Sequence, residues 1–206
     1  MHKISIILLI TLSTAISAQD QLAKEILDRL GESTKSYNNI TIDFDFKYNL
    51  NINDLESGTL IIQGDNFIIE MDNQTIINNG ETQWIHLKEV NEVQIMDHDD
   101  SAEDIISPNK LLTIYEEDYK YTYVDTKLIN GKQLQVINLF PKKSQEFIKI
   151  NIGVDPIKNQ LKRMSIYDKS GGIYTYLVKS FKSNTNIKPF IFNISDFPGI
   201  EVIDLR

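Results

Sequence analysis

The run Thr41-Ile42-Asp43-Phe44-Asp45-Phe46-Lys47-Tyr48-Asn49-Leu50-Asn51-Ile52 alternates without a break. Ile42, Phe44, Phe46, Tyr48, Leu50 and Ile52 fall on one parity and only polar residues on the other. Side chains of an extended chain point to opposite faces in turn, so this spacing predicts a long strand with one apolar and one wet face. Strand-like runs then recur at 58–63, 67–72, 74–78, 82–87, 92–96, 119–125, 132–140, 146–154, 160–168, 173–182 and 189–194. Gly64-Asp65-Asn66, Asn79-Gly80, Asn130-Gly131, Asp155-Pro156 and Ser170-Gly171-Gly172 separate them. These residues favour tight reversals, so neighbouring strands are expected to pair antiparallel as hairpins. So many hairpins in succession favour a curled sheet or a barrel, which hides its edges.

Two segments depart from this rhythm. Residues 21–30 place Leu22, Ile26, Leu27 and Leu30 on one stripe, with Lys24, Glu25, Asp28 and Arg29 opposite and Gly31 as the expected stop. That is an amphipathic helix. Between Met96 and Tyr119, Ser107-Pro108 precedes Leu111, Leu112 and Tyr115, which share a helical face. Serine as N-cap and proline at the first helical position predict a second helix within an insertion of about two dozen residues, a length more typical of a lid than of a connector.

The N-terminus reads as a secretory signal peptide. Lys3 gives a positive start, 4–12 is apolar, and 13–18 is small and weakly polar, with cleavage expected near Ser17 or Ala18. The apolar run is about half of what a transmembrane helix needs. Residues 19–206 are then expected to form one exported domain, with helices at about 20–31 and 101–117.

Composition removes several classes. The 206 residues include no cysteine, which excludes disulfide scaffolds, zinc ribbons, iron–sulfur centres and thiol nucleophiles. The formal charge of −8 argues against nucleic acid, whose affinity rests on clustered Lys and Arg. No Gly-x-Ser-x-Gly elbow, P-loop or His-Glu-x-x-His helix occurs, and beyond the leader only His86 and His98 remain. Asp97-His98-Asp99-Asp100 fails as a calcium loop, because Ala102 stands where glycine is needed and Pro108 where the closing glutamate belongs. The expectation is a non-enzyme with no catalytic residue, no metal and no cofactor.

Asn79-Gly80-Glu81-Thr82-Gln83-Trp84-Ile85-His86 followed by Asn91-Glu92-Val93-Gln94-Ile95 resembles the D-G-x-T-L-W-x-Y … N-Q-V-x-V hairpin of the LolA family, periplasmic carriers of outer-membrane lipoproteins. Ser107-Pro108 before Leu111-Leu112, the 147–151 run and the ending Phe192-Asn193 … Pro198-Gly199-Ile200-Glu201-Val202-Ile203-Asp204 are similar to that family in order and spacing. The resemblance implies a mainly β fold with a few short helices. It would be an incomplete, open antiparallel barrel of about eleven strands with an α-helical lid over a hydrophobic cavity. Phe44, Phe46, Tyr48, Leu60, Ile62, Phe67, Ile69, Met71, Trp84 and Ile95 are the candidate acyl-chain lining, and Leu22, Ile26, Leu111, Leu112 and Tyr115 the candidate lid. The bland alternative for these residues is an ordinary core, since the same residue types line both.

By the same resemblance the partners are triacylated lipoproteins, an inner-membrane lipoprotein-releasing ABC transporter and an outer-membrane acceptor, with the carrier itself a monomer. The acceptor of this fold is itself a lipoprotein, a role the missing cysteine excludes here. A periplasmic sensor or regulator of envelope stress on the same half-barrel is the alternative. One departure stands out: the family's lid-latching arginine, in a Lys-Arg-Pro context, is replaced by Gln63-Gly64-Asp65.

Overall fold

In a computed structural model, which describes residues 3–49, 55–98 and 118–206, with the side chains of the first helix described from residue 19 on, the strands form one sheet. In chain order the elements are α1 (Lys3–Lys35), β1 (Ile40–Tyr48), β2 (Leu55–Gln63), β3 (Asn66–Met71), β4 (Gln74–Asn78), β5 (Thr82–Leu87), β6 (Glu92–Asp97), β7 (Tyr119–Ile129), β8 (Lys132–Pro141), β9 (Phe147–Asp155), β10 (Gln160–Asp168), β11 (Ile173–Ser183) and β12 (Glu201–Asp204). A single 3-10 turn, Ile194–Asp196, precedes β12. Strand order is β12-β6-β5-β4-β3-β2-β1-β11-β10-β9-β8-β7, so β1 and β11 join two meanders and the sheet stays open.

Register fixes two faces. Ile42 lies opposite Leu60 on β2, Leu60 opposite Ile69 on β3, and Ile69 opposite Ile76 on β4. On the other side Phe46 lies opposite Tyr176, Tyr176 opposite Met164, Met164 opposite Ile152, and Ile152 opposite Ile137. These residues share one face. Leu161 of β10 packs with the α1–β9 cluster and also with Ile62 and Phe67, across the intervening β1 and β11. The sheet therefore curls around this face, which we call concave.

α1 lies on the concave face of β7–β10, burying Ala23, Ile26, Leu27 and Leu30 against Ile137, Leu139, Phe147, Ile150, Ile152 and Val154. Its 33 residues take in the stretch read as the leader, and within the expected domain it reaches four residues past the predicted stop. The helix runs through Gly31, which is buried, and ends at Lys35, where a basic side chain complements the negative end of the helix dipole. Packing of the apolar stripe outweighs the weak helix propensity of one glycine. The predicted helix at 101–117 lies outside the described residues.

The convex face has its own cover. Ile61, Ile68, Ile77 and Val93 pack with Phe192, flanked by Trp84, Ile187, Phe190, Phe197 and Ile200. The chain after β11 thus straps across the back of β2–β6 before adding β12 parallel to β6, with Val202 opposite Val93. Asn39 anchors its start: Oδ1 accepts the Thr185 N–H at 3.0 Å and Nδ2 donates to the Thr185 carbonyl at 2.9 Å.

Three strand expectations need correction. The 189–194 run is irregular strap rather than strand, because its apolar rings dock on a sheet face instead of entering the ladder. The strand that does form just after it, β12, makes the pairing not wholly antiparallel and brings the count among the described residues to twelve. β1 stops at Tyr48, since Asn49 takes φ +49° and closes on Ile173, its N–H donating to the Ile173 carbonyl (2.8 Å) and its Oδ1 accepting the Ile173 N–H (2.9 Å). The predicted continuation through Leu50 and Ile52 lies outside the described residues.

Candidate functional site

Eight of the ten predicted lining residues share the concave face. β1 carries Phe44, Phe46 and Tyr48, β2 carries Leu60 and Ile62, and β3 carries Phe67, Ile69 and Met71. Seven of them fall in two touching groups: Ile40, Ile42 and Phe44 with Phe46, Leu60, Ile69 and Met71, and Ile62 and Phe67 with Leu60, Ile69 and Ile76. Trp84 and Ile95 do not join them. Trp84 pairs with Ile77 and with Ile95, and Ile77 pairs with Ile68, which places both on the convex face beside the strap.

Burial divides the eight. Ile62, Phe67 and Phe44 are in the core, with Phe44 only 6% exposed, whereas Phe46, Leu60, Ile69 and Met71 are half-buried and Tyr48 is 40% exposed. Gly58 makes room for the Phe44 ring, since a Cβ there would stand 2.5 Å from Phe44 Cζ and 2.8 Å from the Glu70 carbonyl oxygen.

β11 supplies residues that the sequence reading did not single out. Tyr176 sits edge-on to Phe44, with ring centroids 5.8 Å apart, and tilted against Phe46 at 5.1 Å. Tyr174 stacks on Phe46 at 6.3 Å and 21° and leans on Tyr48 at 5.1 Å. Burial raises the phenol pKa of both tyrosines, helped at Tyr174 by Asp168 and at Tyr176 by Tyr174, so both remain neutral at pH 7. The outcome is an aromatic ladder of Phe44, Phe46, Tyr48, Tyr174 and Tyr176 at the junction of the two meanders. Aromatic pairs of this kind hold their geometry while leaving faces open for further apolar contact.

A polar lock lies directly behind the ladder. On the convex face Asp43 accepts hydrogen bonds from Ser180 on β11 and from Thr59 on β2 (Oγ1 to Oδ1, 3.0 Å). The Ser180 bond is the main reason its carboxyl sits below the ordinary value. The β1–β11 register slips by one residue here, leaving Lys179 as a bulge whose ammonium reaches Asp45 at 3.1 Å. The bulge changes the phase of β11, so Tyr174, Tyr176, Val178 and Phe181 all meet the concave cluster.

Of the predicted lid, Leu22 and Ile26 are on α1 and pack over β7–β10 rather than across the ladder. Leu111, Leu112 and Tyr115 lie outside the described residues. The position of the family's latching arginine is the β2–β3 turn, where Gly64 takes φ +58°.

Neither histidine is placed for catalysis. His86 is buried between Phe192 (5.3 Å) and Phe197 (4.6 Å), its Nε2 has no hydrogen-bond partner, and burial lowers its pKa. His98 Nδ1 accepts from Asn78 Nδ2 at 2.7 Å, beside the Gly80 turn. No group of three or more potential metal ligands exists among the described residues.

Comparison with known proteins places this geometry. In the solved structures, an uncharacterized conserved protein from Thermus thermophilus matches with a TM-score of 0.57 at 13% identity, over 88% of this chain and 98% of that one. A putative outer membrane lipoprotein-sorting protein domain from Vibrio parahaemolyticus matches with a TM-score of 0.48 at 11% identity, over 87% and 97%. A LolA superfamily protein from Nitrosomonas europaea matches with a TM-score of 0.39 at 13% identity, over 80% and 94%. No curated protein sequence matches. The sequence model described as outer membrane lipoprotein carrier protein LolA matches residues 53–195, the greater part of the chain and every strand from β2 to β11. This chain belongs to the LolA family.

Proposed function

We propose that the protein is a periplasmic carrier that holds the acyl chains of lipoproteins on the concave ladder and moves them from inner to outer membrane. One observation carries this reading. Among the described residues, α1 covers only the β7–β10 half of the concave face, and Phe46, Tyr48, Leu60, Ile69, Met71, Tyr174 and Tyr176 keep apolar surface open beside it. A carrier needs such a surface. At about 0.8 kcal/mol per methylene, a sixteen-carbon chain costs on the order of 12 kcal/mol to expose to water. Flat rings and the flexible Met71 thioether suit a wall that accepts chains of variable shape.

In this reading the cargo is a triacylated lipoprotein, the donor an inner-membrane releasing ABC transporter, and the recipient an outer-membrane acceptor. The protein works as a monomer, without catalysis or cofactor, after cleavage of the leader near Ser17 or Ala18. Loading and release exchange apolar contact with the protein for contact with lipid, so the free energies of the two states stay close and transfer can run in either direction. The test is direct. Purified protein mixed with a triacylated lipoprotein in detergent, followed by detergent removal, should keep the lipoprotein in solution as a one-to-one complex. Precipitation of the lipoprotein with the protein left free in solution would count against the proposal.

A further inference from the structure

Two hairpin tips stand side by side at the end of the sheet where α1 leads into β1. The β8–β9 pairing ends with Gln135 opposite Val154, so Lys132 at the β7–β8 tip and Ile157 at the β9–β10 tip both lie just beyond the same end of these two neighbouring strands. Ile157 is 89% exposed and Leu128, just before the β7–β8 turn, is 73% exposed, the two most exposed large apolar side chains among the described residues. Around them the stretches 126–133 and 155–162 carry Lys127, Lys132, Lys158 and Lys162 against one acid, Asp155. The Asp155 Oδ1 accepts the N–H groups of Ile157 (2.9 Å) and Lys158 (3.0 Å) while its charge attracts Lys158 and Lys162, one negative charge against four positive ones. Lys132 and Lys158 crowd Lys162, whose ammonium also donates to Gln160 Oε1 at 3.0 Å. Lys162, set 5.7 Å above the Phe181 ring, has its pKa lowered first by burial and next by Lys132, a repulsion that a neighbouring anion relieves.

We infer that the paired β7–β8 and β9–β10 tips form a docking surface for the anionic lipid headgroups of a bilayer, with Ile157 and Leu128 inserting and the lysines contacting headgroup phosphates. Two observations favour a membrane surface over an acidic protein. A chain with a formal charge of −8 concentrates basic groups here, and the apolar side chains project from turn tips instead of forming a flat patch. Apolar prongs ringed by lysines match the layered chemistry of a bilayer interface, charged outside and apolar a few ångströms deeper. The inference goes beyond acyl-chain carriage and stands whether or not the concave ladder holds lipid.

Co-sedimentation with vesicles of equal phosphatidylglycerol and phosphatidylcholine, against pure phosphatidylcholine vesicles, tests it. The parent chain should partition onto the anionic vesicles at least about tenfold more strongly, and 0.5 M salt should remove most of the difference. With roughly fivefold per lysine, the double variant Lys132→Glu/Lys158→Glu should lose at least about twentyfold, and Ile157→Asp about tenfold. Parent and variants are all prepared without the leader, whose apolar run at 4–12 would bind either vesicle type, so the differences isolate the tips. Because the chain lacks cysteine, Ile157→Cys can carry a polarity-sensitive fluorophore, with Val90→Cys, 65% exposed in the β5–β6 turn at the opposite end of the sheet, as its control. Only the label at 157 should shift to the blue on anionic vesicles. Equal partition onto both vesicle types, a folded double variant that binds like the parent, or an equal shift at 90 would overturn the inference. So would capture by an acidic polypeptide such as polyglutamate without vesicle binding. Circular dichroism melting of each variant checks the fold, which does not depend on these side chains because the β9–β10 turn is held by Asp155 and backbone.

Discussion

Phe44 and Phe46 sit two residues apart on one strand and one face, yet the account assigns them different work, and alanine at each separates the two. Phe44 is 6% exposed, beneath Tyr176 and over Gly58. Removing its ring leaves a cavity in packed core, so Phe44→Ala should cost about 3–5 kcal/mol of stability. Phe46 is half-buried, touching Tyr174 and Tyr176 on one side and open on the other. Losing about half the burial and two ring contacts, Phe46→Ala should cost only about 1–2 kcal/mol. Its effect on ligand should be the reverse. A chain lying along the ladder would lose cover for roughly two methylenes, about 1.5 kcal/mol, which is near tenfold in affinity. The assay pairs urea denaturation with titration of a hydrophobic fluorescent probe that long-chain lipid displaces. Phe46→Ala should weaken the probe about tenfold in a protein that still unfolds cooperatively. Probe affinity within twofold of the parent, or a stability loss matching that of Phe44→Ala, would refute the assignment of Phe46 to the binding surface.

Other outcomes follow from the same geometry. Gly58→Ala drives a methyl into the Phe44 ring and the Glu70 carbonyl, and calorimetry should register a loss of about 1–3 kcal/mol. Asp43→Ala strands the hydroxyls of Ser180 and Thr59 and should cost about 1.5–3 kcal/mol at pH 7. Because the Asp43 carboxyl is held below its ordinary 3.8, chiefly by Ser180, the parent should keep this contribution above about pH 4 and lose it as pH falls further. The Asp43→Ala variant should melt with a shallower acid limb. His86 has the opposite chemistry and the same sign: burial first and Lys88 second depress its pKa, so below about pH 6.5 the unfolded chain takes up a proton that the folded one refuses. Stability should therefore fall as pH drops below about 6.5, and His86→Phe should remove that part of the slope in melting curves; an unchanged slope would place the titration elsewhere.

How far the sequence could be read depends on which side of the sheet a residue faces. β4, β5 and β10 begin and end where the alternation and turn residues place them, because Asn79-Gly80 and Asp155-Pro156 leave the chain few choices. The face of each strand is harder, since it follows from pairing register and a shift of one residue exchanges inside and outside. Residue type groups Trp84 and Ile95 with Phe44, whereas register puts them behind the sheet. A signal was present: Ile61-Ile62, Phe67-Ile68-Ile69 and Ile76-Ile77 are consecutive apolar residues, which mark strands covered on both sides. Tyr174 and Tyr176 were concealed differently. Ile173 to Val178 has apolar residues on both parities, and the Lys179 bulge that aligns Val178 with Phe181 has no local marker. The strap shows the same difficulty, for Phe190 and Phe192 alternate like a strand and only the occupied positions beside β6 and β11 reveal that they lie across one.

Whether lipid acyl chains lie against the concave ladder in the cell is read directly by site-specific photocross-linking. A photoreactive phenylalanine analogue placed at Phe46, and in a control at Thr41 on the convex side of the same strand, would be activated in the protein's own host and the adducts identified by mass spectrometry. The account predicts acylated lipoprotein peptides joined at position 46 and none at 41. Adducts without acyl chains at 46, or lipid joined equally at both positions, would contradict it.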